Sequence, residues 1–192
     1  MSETDWEDLY QQGDMRWDKG EASPCLVDFL DDSPGLAEGT VLVPGCGTGH
    51  DARIWLRAGF RAIGYDIAPS AVRLANEKTQ EAGLEGDFRV GDFLTDEPSE
   101  QVDYMFEHTL YCAISPDRRQ DYYEAALRWI KPGGELIAVH YLIDDEDGPP
   151  FGTTRDEVVE RFSPGFGLLA EWTPRSWEHR QDLELMLRWQ RR

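Results

Sequence analysis

Basic residues are scarce in this chain. Among its 192 residues, 19 Lys and Arg stand against 38 Asp and Glu, a formal net charge of −19. Such a surface repels phosphate backbones, so nucleic acid is excluded as a partner unless a local basic patch exists. The densest basic stretch is only Arg188, Arg191 and Arg192. Cysteine is rare as well. Cys25, Cys46 and Cys112 are odd in number and widely spaced, which fits a reducing cytosol and argues against a disulfide framework. No Cys/His spacing resembles a zinc site, so no metal is expected. No apolar run approaches the roughly 18 residues of a membrane span. The acidic start, Ser2-Glu3-Thr4-Asp5, lacks the apolar region of a secretory signal. Repeats and low-complexity segments are absent too. What these absences leave is a soluble, cytoplasmic, single-domain protein over residues 1–192. It is expected to be a monomer acting on a small molecule, with no membrane partner. The acidic excess reads as a solvated surface.

Residues 1–39 differ in character from residues 40–192. Trp6, Tyr10 and Trp17 are large aromatics in an otherwise polar, acidic stretch. Ser23 as N-cap and Pro24 at the first helical position then open a helix, which Asp31 to Gly35 stop. From residue 40 onward, short apolar runs alternate with helical patterns. Strands are expected at 40–43, 61–66, 88–90, 102–106 and 135–141. Helices are expected at 50–58, 69–82 and 117–130, the last capped at Ser115-Pro116 and ended by Lys131-Pro132-Gly133-Gly134. A helix at 154–162 and two late strands, near 168–172 and 183–189, complete the chain. The Leu- and Met-rich last segment also admits a helical reading. Strands separated by helices of this length imply an α/β fold, a doubly wound and mostly parallel sheet.

The most informative stretch is Val41-Leu42-Val43-Pro44-Gly45-Cys46-Gly47-Thr48-Gly49. Glycines 45, 47 and 49 follow a strand and precede a helix, where unusual backbone angles and close approach of a ligand demand glycine. Asp66 ends the second strand, 21 positions after Gly45. A carboxylate there is placed to accept the ribose hydroxyls of a nucleoside; as a helix cap before Pro69 it would need no ligand. A dinucleotide site, and with it a nicotinamide-dependent oxidoreductase, calls for GxGxxG; here the third glycine comes one position early.

That spacing resembles the first motif of class I S-adenosylmethionine-dependent methyltransferases, which have a Rossmann-like fold. Two further stretches are similar to theirs: Gly91-Asp92-Phe93, and Leu127-x-x-Ile130-Lys131-Pro132-Gly133-Gly134-Glu135-Leu136. The resemblance implies that Asp92 bonds the adenine amino group and Phe93 lies against the ring. Trp17-Asp18-Lys19-Gly20, the Val41 to Gly47 run, Phe106-Glu107-His108 with Cys112-Ala113-Ile114, and Gly148-Pro149-Pro150-Phe151 together resemble the thiopurine S-methyltransferase family. The likeness is greatest to its thiol and halide methyltransferase branch and extends from Trp6 to Trp189. It implies that Trp6, Tyr10 and Trp17 form a lid over the cofactor, whose sulfonium cation suits aromatic faces. It also implies that Gly45 contacts the cofactor through its backbone. Cys46, Gly47, Gly49 and Ile67 join the same set. His108 matches a cofactor- or substrate-contacting position that is arginine in the thiopurine enzymes. A large anionic aromatic thiol is therefore a poor candidate acceptor.

Methyl transfer from a sulfonium is an in-line displacement in which the protein aligns and shields the nucleophile. A thiol arriving protonated needs a proton acceptor. His108, Tyr111, His140 and Tyr141 are the candidates. Neighbours on a strand point to opposite faces, and Tyr141 is favoured over His140 because it matches an active-site tyrosine of the thiol/halide branch. Glu107 is expected to support its loop, and Cys46 and Cys112 to be packing residues. The expected activity is methylation of a thiol, sulfide or thiocyanate. Halide, tellurite or thiopurine acceptors are the alternatives within the class, and a non-catalytic nucleoside-binding protein the alternative outside it.

Overall fold

A computed structural model describes residues 4–145 and 147–192. The chain is α/β and divides into two compact units, the first ending at Phe93 and the second beginning at Leu94.

The first unit opens with α1 (Trp6–Gln12), a helix the aromatic spacing alone did not announce. Asp5 caps it by accepting from the Asp8 amide, and Gly13 closes it in the left-handed conformation. α2 (Pro24–Asp31) begins at Ser23, as expected, but the Ser23 side chain does not cap it. Its amide and hydroxyl instead donate to Asp51, 2.8 and 3.1 Å away. β1 (Thr40–Pro44), α3 (His50–Arg57), β2 (Arg61–Asp66), α4 (Pro69–Glu81) and β3 (Asp87–Val90) follow in the alternation read from the sequence. β1 pairs parallel with β2, and β2 with β3. Their carboxyl ends therefore share one edge, where doubly wound sheets bind ligands. Leu42, Trp55 and Ile63 are fully buried; Trp55 meets Phe60 edge-on at 4.9 Å.

In the second unit, β4 (Val102–His108) runs two residues longer than expected. A single 3-10 turn over Pro116–Arg118 precedes α5 (Arg119–Trp129), and Ser115 makes no side-chain cap. β5 (Ile130–Tyr141) already includes Lys131-Pro132-Gly133-Gly134, which was expected as a turn. The register with β4 jumps from Val102↔Ile130 to Tyr104↔Glu135, so the extra residues bulge out of the ladder. The Lys131 ammonium pins the bulge to Asp103 at 2.6 Å. α6 (Arg155–Phe162) is capped by Thr154. β6 (Phe166–Trp172) and β7 (Glu184–Arg191) close the chain, so the helical alternative for the last segment is wrong. β7 pairs antiparallel with both β5 and β6. Its Met186 and Leu187 are fully buried, and that burial outweighs their helix propensity. Among the described residues, no helix is long and apolar enough to cross a membrane.

Candidate active site

Gly45, Gly47 and Gly49 all have positive φ, at 61°, 53° and 81°. Gly49 has a packing reason to be glycine. A Cβ there would stand 3.0 Å from Arg53 and Phe88 and 3.1 Å from Ala75, so the helix could not close on the sheet. The turn is braced by its own neighbours: the Cys46 amide donates to the Tyr65 carbonyl and the Gly49 amide to the Cys46 carbonyl. Gly45 is exposed and leaves its backbone open to a ligand.

Asp66 does two jobs at once. Its carboxylate accepts from the Gly47 amide and the Ala68 amide, each at 2.9 Å. It therefore ties the glycine turn to the residue that precedes α4, although α4 has no side-chain cap. Burial raises its pKa, and these amide bonds work against that rise. A carboxylate offers about four acceptor sites, so capacity remains for a ribose hydroxyl. Ile67, beside it, is 52% exposed, an apolar surface at the edge where a base would lie. The Gly91 amide donates to the Asp66 carbonyl at 2.9 Å and draws the Asp92-Phe93 loop to the same edge. Asp92 is half-buried and Phe93 buried. Cys46 is buried, and desolvation raises its thiol well above the ordinary value, so it packs and does not react.

The aromatic segment lies on this turn. Tyr10 is buried against Ala68 and Ala71, with Trp6, Met15, Trp17 and Leu74 packed around them. A Cβ on Gly47 would come within 3.2 Å of the Tyr10 hydroxyl. Trp17 meets Trp6 and Tyr10 edge-on at 5.1 and 5.5 Å. Two acids, neither of them singled out by the sequence, fasten the segment. Glu7 accepts from the Ser70 amide and hydroxyl at 2.9 and 2.8 Å. Asp18 accepts from the Thr48 hydroxyl at 2.7 Å and lies 3.0 Å from His50 Nε2. Its hydrogen bond with His50 holds the Asp18 carboxyl far below the usual carboxylate range, against the effect of burial. His50, which no sequence motif marks, is thus part of the fastening.

His108 ends β4 and Tyr141 ends β5, two parallel neighbours of the second unit. The His108 side chain is 6% exposed, and its Nε2 lies 3.3 Å from Glu184 Oε1. Its ring faces Trp177 at 5.4 Å and 31°. Glu184 also accepts from Ser176 Oγ at 2.6 Å and Arg180 at 3.1 Å, and the Arg180 guanidinium sits 4.6 Å over the Tyr141 ring. His108 and Tyr141 are therefore joined through Glu184 and Arg180. The sequence signal for Glu184 was an acid on the inward face of an alternating strand, obscured while that strand also admitted a helical reading.

The other proton-acceptor candidates are engaged elsewhere. The Tyr111 hydroxyl donates to Glu157 at 2.8 Å, and burial, then the Glu157 charge, raises its pKa far out of the useful range. Tyr111 is thus a structural residue. His140 is 1% exposed and burial drops it to about 3, so it stays neutral in the core. Glu107 does support its loop, accepting from the Tyr111 amide at 2.9 Å. Burial pushes Cys112 up to about 12, and it packs.

A family model described as Thiopurine S-methyltransferase matches residues 1–182. The chain belongs to the thiopurine S-methyltransferase family. It is an S-adenosylmethionine-dependent methyltransferase. Thiocyanate methyltransferase 1 of Brassica oleracea is 34% identical over 196 residues, covering 100% of this chain and 86% of that protein. A thiopurine S-methyltransferase of Legionella pneumophila is 24% identical, covering 80% and 77%. A structure solved in work on conversion of a disulfide bond into a thioacetal group in echinomycin biosynthesis matches with TM-score 0.78 at 25% identity, over 96% and 89% of the two chains. A TehB-like methyltransferase of Corynebacterium glutamicum shares the fold, with TM-score 0.69 at 17% identity over 97% and 94%. The expected Rossmann-like methyltransferase fold is thereby established.

Proposed function

We propose that this methyltransferase acts on a small sulfur nucleophile: a thiol, hydrosulfide or thiocyanate. The observation that carries this reading is the enclosure of His108 by Glu184 and Trp177. A compact imidazole stands where the resemblance places arginine in the thiopurine enzymes, and an imidazole makes a weaker anion partner than a guanidinium fork. The likeness to proteins named for thiocyanate, over the whole chain at 34% identity, supports the same class.

The glycine turn fits the donor. Exposed Gly45 leaves room for close backbone approach, and Asp66 has acceptor capacity for the ribose. Asp92 would take the adenine amino group, with Ile67 and Phe93 against the ring. The donor supplies a methyl group on an already activated sulfonium. The chain's own residues supply the rest. Trp6, Tyr10 and Trp17 offer aromatic faces to a cation and exclude water. His108 contacts the acceptor, and Tyr141 lines the same end of the sheet.

The test is methyl transfer from labelled cofactor to sulfide, methanethiol, thiocyanate, iodide and a thiopurine. Turnover of the small sulfur compounds well above the thiopurine is expected. Turnover confined to halide, or to the thiopurine, would sink this reading.

A further inference from the structure

His50 and Arg53 stand three positions apart on α3, the spacing that puts both on one helix face. Arg53 is only 6% exposed. A Cβ on Gly49 would stand 3.0 Å from its Nη1, so the glycine turn leaves the guanidinium room to pack against it. The guanidinium forks. One arm donates to the Thr48 carbonyl at 2.7 Å and lies 3.5 Å from the Thr79 hydroxyl of α4. The other lies 2.9 Å from His50 Nδ1. Arginine has five N–H donors and no acceptor, so Nδ1 is the acceptor of that pair. The ring hydrogen is then on Nε2, which faces Asp18 Oδ1 at 3.0 Å. The same oxygen accepts from the Gly20 amide, and Oδ2 accepts from the Thr48 hydroxyl, each at 2.7 Å. Both His50 nitrogens are thereby engaged. The bonds run in one direction, from buried Arg53 through the ring to the carboxylate beside Trp17.

We infer that His50 is a positioning residue for the methyl donor: fixed by Arg53 as the Nε2–H tautomer, it links the buried anchor under the glycine turn to Asp18 and so holds Trp17, Tyr10 and Trp6 down over that turn. This rests on the reading above that the glycine-turn edge holds the donor. Trp17 directly precedes Asp18. It meets both other aromatics edge-on and donates its Nε1–H to the Tyr10 hydroxyl at 3.4 Å. Anchoring Asp18 therefore anchors all three rings. The α1 end is held separately, by Glu7 on Ser70. Loss of the relay frees the Trp17 end alone, and a donor covered by the rings is retained less well. No step of the methyl transfer passes through His50.

Nitrogen NMR of the imidazole in the free chain reads the tautomer: hydrogen on Nε2 and the lone pair on Nδ1. His50→Gln keeps a carbonyl for Arg53 and an amide N–H for Asp18. It should bind S-adenosylhomocysteine within about threefold of the native protein. His50→Leu keeps the bulk and loses both bonds. Its affinity should fall about tenfold, the worth of one charge-assisted hydrogen bond. Hydrogen exchange should speed up over residues 6–18 and stay unchanged over β1 and β2. A packing role alone would make leucine the better replacement. Equal losses in the two variants, full affinity in His50→Leu, or hydrogen on Nδ1 in the native protein would overturn the inference. A native chain that failed to bind S-adenosylhomocysteine would remove the donor reading and the inference with it; a native chain that binds it as tightly as His50→Leu does removes the inference alone.

Discussion

A single buried carboxyl couples the stability of this fold to pH. Glu107 is fully buried, and desolvation pushes it up to about 7, against the pull of the Tyr111 amide. In the unfolded chain it sits near the ordinary 4.5. Folding therefore binds a proton at this group between those values. Stability is favoured below 4.5 and declines as pH rises through 7. His140 runs the other way: its folded value near 3 lies below the ordinary 6.5, so it favours folding above 6.5 and loses that support as pH falls. Comparing native protein with Glu107→Gln cancels His140 and isolates Glu107. Urea unfolding at pH 4.5 and pH 8 should show the variant gaining on the order of 3 kcal/mol relative to native at the higher pH, from about 1.36 kcal/mol per pH unit. A difference independent of pH would contradict the assignment. At this scale Asp66 was legible, because a strand-ending acid after a glycine turn has few other purposes. Its side chain does not cap α4, whose N-cap is Ala68; it bonds the Gly47 and Ala68 amides instead. Glu184 and Asp18 were not legible, because their histidine partners lie 76 and 32 residues away; no local pattern encodes such pairs.

Among the elements, the aromatic segment gains most from the structure. The sequence showed three aromatics in an acidic stretch but not that two of those acids are fasteners. Thr48, inside the glycine motif, and His50, the first residue of α3, together hold Asp18. Asp18→Ala should release the segment. Hydrogen exchange over residues 6–18 is expected to speed up, and affinity for S-adenosylhomocysteine to fall about tenfold, the worth of one charge-assisted hydrogen bond. Unchanged exchange there would show that the aromatic packing alone suffices. Apart from α1, the strands and helices of the first unit were read almost to their ends, since strict alternation of β and α leaves little freedom. The misplaced boundaries share one cause. Lys131 to Gly134 carries strong turn residues, yet pairing at both sides carries the strand through them as a bulge, and Gly133 adopts φ 80° to allow it. Tertiary pairing overrode local preference there, as it did in β7.

Over the whole molecule, the charge of −19 gives a test that depends on no single residue. It repels anions at long range, and salt weakens that repulsion as the screening length falls from about 30 Å at 0.01 M to about 8 Å at 0.15 M. The kcat/KM for thiocyanate should therefore rise severalfold across that range, while that for neutral methanethiol stays flat. A fall for thiocyanate would mean that the cations near Glu184 dominate its approach. The central claim is that the glycine-turn edge holds the methyl donor while His108 meets the acceptor. It is tested most directly by a crystal structure with S-adenosylhomocysteine and thiocyanate. The account predicts a ribose hydroxyl on Asp66, adenine between Ile67 and Phe93, and thiocyanate within hydrogen-bond reach of His108, about 2.6–3.2 Å or through one water. A nucleoside bound away from Asp66, or thiocyanate out of reach of His108, would contradict it.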